Sequence, residues 1–368
     1  MAIEVVCVCG ARPNFMKIAP LMAEFGRRED INGYLVHTGQ HYDERMSKLF
    51  FEELGIPRPD INLEVGSGSH AQQTAEIMKR FESVVLERKP NLVLVVGDVN
   101  STIACGLVAV KLGVQLAHVE AGLRSFDREM PEEINRILTD RISDLLFVTE
   151  KSGIENLRAE GVADEKMFLV GNVMIDTLMA NRKKAGKSTV LETMGLKSRG
   201  YGVLTLHRPS NVDDPEVLKG LIEAFAQIQQ DMPLIFPVHP RTRRNLSRFG
   251  LDERLKEMPE FRLVEPQGYL DFLKLMAESR LVLTDSGGMQ EETTILGVPC
   301  MTLRENTERP ITIEQGTNRL VHVTTEDILK TYREIMQSDQ KAEHKVPELW
   351  DGKSAQRIAK IISESKLD

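Results

Sequence analysis

The sequence predicts an α/β chain of two domains, each a parallel sheet wrapped by helices. Two observations carry that expectation. A length of 368 residues is more than one compact core usually serves. Short β-branched runs also alternate with longer amphipathic stretches, in a series that stops and begins again. Two such domains imply a cleft between them.

In chain order, the first series of strand-like runs is "EVVCVCG", "YLVHTG", "LVLVVGD", "QLAHVEAG", "LLFVTE" and "MFLVGN", with helix-like segments such as Thr74 to Glu87 between them. After the polar stretch "NRKKAGKSTVLETMGLKSRG" the series restarts with "YGVLTLH", "LIFPVH", "FRLVEP", "RLVLTDS", "PCMTL" and "RLVHVT". The expected division is 1–170 for an N-terminal domain and 171–354 for a C-terminal one, with a bend near Gly171 and Asn172. In the tail 355–368, Ile358, Ala359, Ile361 and Ile362 mark a terminal helix that needs a surface to pack on and is expected to cross back to the first domain.

Composition narrows the function. Hydrophobic residues make up 41% and charged residues 28%, an ordinary globular balance. Lys plus Arg is 47 against 55 for Asp plus Glu, so a net charge of −8 argues against a nucleic-acid partner, which needs a basic face. The N-terminus opens with a strand rather than a basic stretch and an apolar signal core, and no run approaches membrane-spanning length, so a cytoplasmic location is expected. The four cysteines, Cys7, Cys9, Cys105 and Cys300, form no CxxC pair, and no HExxH or His-Cys cluster suggests a metal. There is no GxGxxG either, which argues against a nicotinamide or flavin cofactor.

In an open parallel sheet the ligand lies outside the carboxyl ends of the strands, where helix N-termini converge. The segments just after each strand are therefore the candidates. In "TDSGGMQEE", Ser286, Gly287 and Gly288 allow a tight turn with N–H groups pointing out at a helix start, a natural receptor for phosphate. Two acids follow at once. Glu292, one helical turn past Gly288, can accept both hydroxyls of a ribose while the turn holds phosphates, so the ligand expected here is a nucleoside diphosphate. "EPQGYLDF" supplies Gln267, Tyr269 and Phe272, which are either contacts for a base or helix-start core residues. Arg304 and Arg309 either neutralise the diphosphate or sit in a solvated loop. His207 with Arg208, and His239 with Arg241, end two further strands.

The first series offers cations and acids. "GARPNFMK" places Arg12 and Lys17 after the first strand, with Pro13 near the first helical turn. Asp98, Glu120 and either Glu132 or Glu133 stand at the ends of their runs. A carboxyl behind an apolar run is costly unless it is paired, hydrogen-bonded or protonated, and three of them together suggest proton transfer. Helix capping is the competing role for each alone.

In order along the chain, "GARPNFMKIAP", "GDVNST", "HVEAGLRS", "PEEINR", "VGNVMID", "LHRPSN", "PVHPRT", "TDSGGMQEE" and "TERP" resemble the non-hydrolysing UDP-N-acetylglucosamine 2-epimerases. The resemblance implies two Rossmann-like domains facing a central cleft, the GT-B-type architecture, and a homodimer. It implies UDP contacts at Arg12, Gln267, Phe272, Ser286, Gly287, Gly288, Glu292 and Arg309, and reaction-centre residues at Lys17, Asp98, Glu120, Glu132 and His207. Preferring Glu132 over Glu133 rests on the resemblance alone. The implied reaction inverts C2 by expelling UDP to form 2-acetamidoglucal and adding it back, under closed domains and without metal or redox cofactor. Asn14, Pro209, Ser210 and Ile311 depart from residues common in the family, which leaves a related UDP-sugar of the 2,3-diacetamido uronic acid type as an alternative substrate. A hydrolysing 2-epimerase and a UDP-sugar glycosyltransferase of the same fold are rival activities for such a chain. Gln40, His41 and His239 fall where some relatives bind a second UDP-GlcNAc as activator.

Overall fold

A computed structural model describes residues 2–40, 51–338 and 345–367. The chain forms two units: Met1–Asn181 together with Glu348–Asp368, and Arg182–Pro347. The change of unit falls inside the helix Val173–Ala185.

The first unit is built on a seven-stranded sheet in the order β3-β2-β1-β4-β5-β6-β7. Its strands are β1 (Ile3–Cys9), β2 (Ile31–His37), β3 (Ile61–Asn62), β4 (Leu92–Val96), β5 (Gln115–Ala121), β6 (Leu145–Val148) and β7 (Met167–Leu169). Every strand pairing is parallel. Helices cover both faces of such a sheet, so its strands read as continuous apolar runs, and β4 is buried at all five positions. Phe15, Ile18, Leu21 and Phe25 recur along one stripe of the helix Arg12–Phe25 and are fully buried, each worth about 1.5–3 kcal/mol.

The tail closes this unit. Ala355, Ile358, Ala359 and Ile362 form the buried stripe of the helix Ser354–Glu364, which packs on the helix Arg12–Phe25. Asp176 caps its start by accepting from the N–H groups of Ser354 (3.1 Å) and Ala355 (2.7 Å). Just before it, the buried Trp350 donates from its indole to the Thr149 carbonyl at 3.0 Å.

The second unit carries a six-stranded parallel sheet ordered β10-β9-β8-β11-β12-β13. Its strands are β8 (Gly202–Thr205), β9 (Leu234–Pro237), β10 (Phe261–Val264), β11 (Leu281–Thr284), β12 (Cys300–Leu303) and β13 (Asn318–Val321). Counted within its own unit, the second sheet runs 3-2-1-4-5-6, the doubly wound Rossmann order, and the first runs the same way with a seventh strand added at its edge. The order reverses between β1 and β4 in one unit and between β8 and β11 in the other. Those two points are where the loops diverge and leave room for a ligand.

Among the described residues no helix is long and apolar enough to cross a membrane. No group of three or more His, Cys, Asp or Glu among them could hold a metal ion. All four cysteines are free and buried, and burial pushes the Cys300 thiol up to about 11, so these are packing residues rather than nucleophiles.

Candidate active site

In the first unit the switch point gathers Asn14, Lys17, Gly97, Asp98 and Glu120. Asn14 accepts from the N–H groups of Gly10 (3.1 Å) and Ala11 (3.0 Å) and donates to the Val96 carbonyl at 3.0 Å, stitching the ends of β1 and β4 together. Those N–H groups are thereby spent inside the protein. One turn further along the same helix, Lys17 reaches Glu120 and forms an ion pair with both side chains buried.

Glycine is required at position 97. Its φ is +66°, and a Cβ there would stand 2.7 Å from Lys17 Nζ and 3.3 Å from Glu120 Oε2. Glu120 lies within β5 rather than after it. Its φ of +76° falls where the β5–β6 register shifts between Val119 and Ala121. A non-glycine residue in that conformation costs about 1–3 kcal/mol and persists only where its surroundings hold it. The bulge turns an acid near the end of a buried strand toward the Lys17 ammonium.

Asp98 follows Gly97 and keeps 29% of its side chain exposed, while Arg136 donates to its Oδ2 at 2.5 Å. The other arm of Arg136 reaches Glu133 Oε2 at 2.7 Å. Glu133 is buried and also accepts from Ser125 N–H (3.0 Å), Ser125 Oγ (2.9 Å) and Phe126 N–H (2.9 Å). It therefore closes the loop before the helix Pro131–Ile142, whereas Glu132 beside it is half-buried.

In the second unit, β11 ends at Thr284 and the helix Gly287–Leu296 starts with Ser286 as N-cap, whose side chain makes no capping bond. The first-turn N–H groups thus face outward, as an anion site needs. Arg309 is 8% exposed, and a Cβ on Gly287 would come within 2.8 Å of its Nη1, so the guanidinium lies directly on the turn.

The two adjacent acids have separate environments. Glu291 accepts from Arg309 Nε at 2.6 Å. Glu292 is buried and accepts from the Tyr269 hydroxyl at 3.0 Å; burial, with the Glu291 charge beside it, pushes its carboxyl up to about 7. Tyr269 belongs to the helix Tyr269–Ala277, which adjoins the helix Gly287–Leu296 and also carries the half-buried Phe272. Gln267 is half-buried and donates to the Glu265 carbonyl at 2.6 Å. The loop holding Arg304 and Arg309 is not solvated at those side chains, and Arg304 forks onto Glu308 at 2.9 and 2.7 Å.

His207 ends up across the second switch point from this turn. Its Nδ1 lies 2.8 Å from Asp285 Oδ1, and Asp285 Oδ2 accepts from the N–H groups of His207 and Arg208 at 2.8 Å each. Burial pushes Asp285 up, but the His207 ring and the two N–H groups outweigh it and hold the carboxyl below its ordinary range. The His207 side chain is 43% exposed, so an open ring stands on a buried, ionised support. The His239 ring centroid is 5.9 Å away.

Two expectations fall on undescribed atoms. Arg12 begins its helix but its side chain lies outside the described residues, and His41 lies outside them altogether. Gln40 is buried and accepts from Ser101 N–H (3.0 Å) and Oγ (2.6 Å). Residues that sequence reasoning passed over are Asp285, Arg136 and Tyr269 as a partner of Glu292. Asp285 had a usable signal, since an acid closing an apolar strand is the mark that drew attention to Asp98. For Arg136, the i,i+3 spacing to Glu133 on its own helix is legible, but its bond to Asp98 comes from another segment and leaves no local mark.

Two doubly wound sheets, each with charged side chains gathered at its switch point, define the class as a two-domain α/β protein of the GT-B-like fold. Residues 23–363 match the UDP-N-acetylglucosamine 2-epimerase family, and the chain belongs to that family. A protein of Methanocaldococcus jannaschii named UDP-N-acetylglucosamine 2-epimerase is 45% identical over 98% of both chains. A Pseudomonas aeruginosa protein named UDP-2,3-diacetamido-2,3-dideoxy-D-glucuronate 2-epimerase is 42% identical, covering 90% of this chain and 91% of its own. The crystal structure of the M. jannaschii UDP-GlcNAc 2-epimerase in complex with UDP-GlcNAc and UDP superimposes with a TM-score of 0.92 at 43% identity, covering 99% of this chain and all of that one.

Proposed function

We propose that the protein is a non-hydrolysing epimerase that inverts C2 of UDP-N-acetylglucosamine to give UDP-N-acetylmannosamine. The observation that carries this reading is the 45% identity across 98% of both chains with the M. jannaschii enzyme of that name.

The chemistry asks for what the two switch points offer. The C2 proton is weakly acidic, so its removal must accompany departure of UDP: a carboxylate takes the proton, the C1–O bond breaks with its electrons going to the diphosphate, and a C1–C2 double bond forms. Return of the diphosphate oxygen to C1, with a proton delivered to the other face of C2, completes the inversion. Asp98, Glu120 and Glu132 are the pool from which these proton carriers come. Glu133 is already engaged by Ser125, Phe126 and Arg136, which supports Glu132 as the working member of the pair.

For the leaving group, the Ser286, Gly287 and Gly288 turn and Arg309 hold the diphosphate, with Arg12 assisting; Glu292 takes the ribose, and Gln267 and Phe272 take the base. Lys17 and His207 stabilise charge as it develops. A homodimer in the cytoplasm belongs to the same reading, and sedimentation of the purified protein tests the dimer.

The P. aeruginosa relative favours one second reading, a 2,3-diacetamido uronic acid as the sugar. Incubation with UDP-GlcNAc in deuterated water, followed by NMR, decides. Deuterium at C2 of a sugar still linked to UDP is expected. Free sugar would mean hydrolysis, and an inert UDP-GlcNAc alongside a reactive diacetamido uronate would move the reading to that substrate.

A further inference from the structure

Directly behind the strand ends that carry Asp98 and Glu120 is a side chain with no part in the chemistry above. His118 stands two positions before Glu120 in β5 and is fully buried. Its Nε2 is 2.8 Å from the Gly97 carbonyl oxygen and its Nδ1 is 2.6 Å from Asp140 Oδ1. A carbonyl oxygen only accepts, so Nε2 carries a proton. Asp140 is buried too, and its other oxygen accepts from Gly122 N–H at 3.1 Å and from Arg124 Nη1 at 2.7 Å. The always-charged Arg124 guanidinium at that distance favours the ionised carboxylate, and with Asp140 ionised the second ring proton sits on His118 Nδ1.

We propose that His118 is a doubly protonated, positively charged positioning residue that braces the acid-bearing turns against one another. The brace runs from the Gly97 carbonyl at the end of β4, through the ring, to Asp140 on the helix Pro131–Ile142, and on to the Gly122 N–H at the end of β5. It links the turn bearing Asp98, the bulge bearing Glu120 and the helix bearing Glu132. The bulge needs holding, because Glu120, a non-glycine residue, has a φ of +76°. The role as an aid to proton transfer rests on the epimerase reading; the charged brace itself does not. Burial pushes the Asp140 carboxyl up, but the facing His118 and then Arg124 outweigh it and hold it below its ordinary range, as the ion pair requires.

Two measurements test this. In ¹⁵N spectra of the intact protein labelled at its eight histidines, one ring is expected to carry protons on both nitrogens that exchange slowly with water at neutral pH. A neutral His118 ring overturns the proposal, and this arm requires no variant to fold. In the second arm, His118→Gln is expected to lower kcat on the order of a hundredfold, as a small misplacement of reacting groups does, with KM for UDP-GlcNAc nearly unchanged. A folded variant with native kcat also overturns it. If the unaltered protein fails to exchange the C2 hydrogen of UDP-GlcNAc, the epimerase reading falls while the spectra still decide the brace.

Discussion

The Tyr269 hydroxyl donates to Oε1 of Glu292 across 3.0 Å, and neither side chain is open to solvent. Adjacent acids at a turn proposed to hold phosphate are thereby given separate environments. Glu291 is matched by Arg309, and Glu292 retains its proton to a higher pH than a surface carboxyl would.

This relationship sets a pH dependence. The Glu292 carboxyl rises from an ordinary 4.5 to about 7, so the folded state holds the proton more tightly than the unfolded chain does. Its contribution to stability is fully present below pH 4.5 and is lost as pH rises through 7, on the order of 3 kcal/mol in all. A carbon-detected NMR titration, assigned with Glu292→Gln, should show a midpoint near neutrality. Tyr269→Phe removes a donor to the ionised form and should move that midpoint higher. A midpoint in the ordinary glutamate range would contradict the burial argument.

Gly287→Ala should injure UDP binding without touching an acid. The new methyl would meet Arg309 Nη1 at 2.8 Å and Cζ at 3.3 Å, while Glu291 holds the same guanidinium at 2.6 Å. The guanidinium must shift, loosening a buried pair whose outright rupture costs about 3–5 kcal/mol. Calorimetry should record UDP affinity reduced by about tenfold or more, equivalent to at least ~1.4 kcal/mol. Equal affinities for the variant and the native protein would remove Arg309 from the diphosphate site.

Asp98→Asn and Glu132→Gln should separate chemistry from binding. Each keeps the shape of its side chain and removes a proton carrier, so kcat should fall by about 10²–10⁴-fold while UDP affinity stays close to native. Deuterium incorporation at C2 provides the readout. Native rates in both variants would take these acids out of the reaction.

The fold was legible where burial leaves a local mark. Strands covered on both faces read as apolar runs, and β4 and β11 stand in the sequence as "LVLVV" and "LVLT". The edge strand β3, two residues long, leaves no period to detect. At the site, the glycine turn after β11 was visible because its conformation demands small residues. The environments of its acids were not, since Glu291 is matched by a residue 18 positions later and Glu292 by one 23 positions earlier. His118 illustrates the same limit: within "HVEAGLR" it reads as one more strand residue, and only folding brings Gly97 and Asp140 to its two nitrogens.

The return of residues 348–368 to the first unit bears on synthesis as well as on architecture. The residues made first lack Trp350 and the partner of their own helix Arg12–Phe25 until the segment carrying Trp350 and the helix Ser354–Glu364 has been made. The intervening unit is made in between, so the unit begun first is completed after it. Clipping the tail should therefore impair maturation of a region more than three hundred residues upstream.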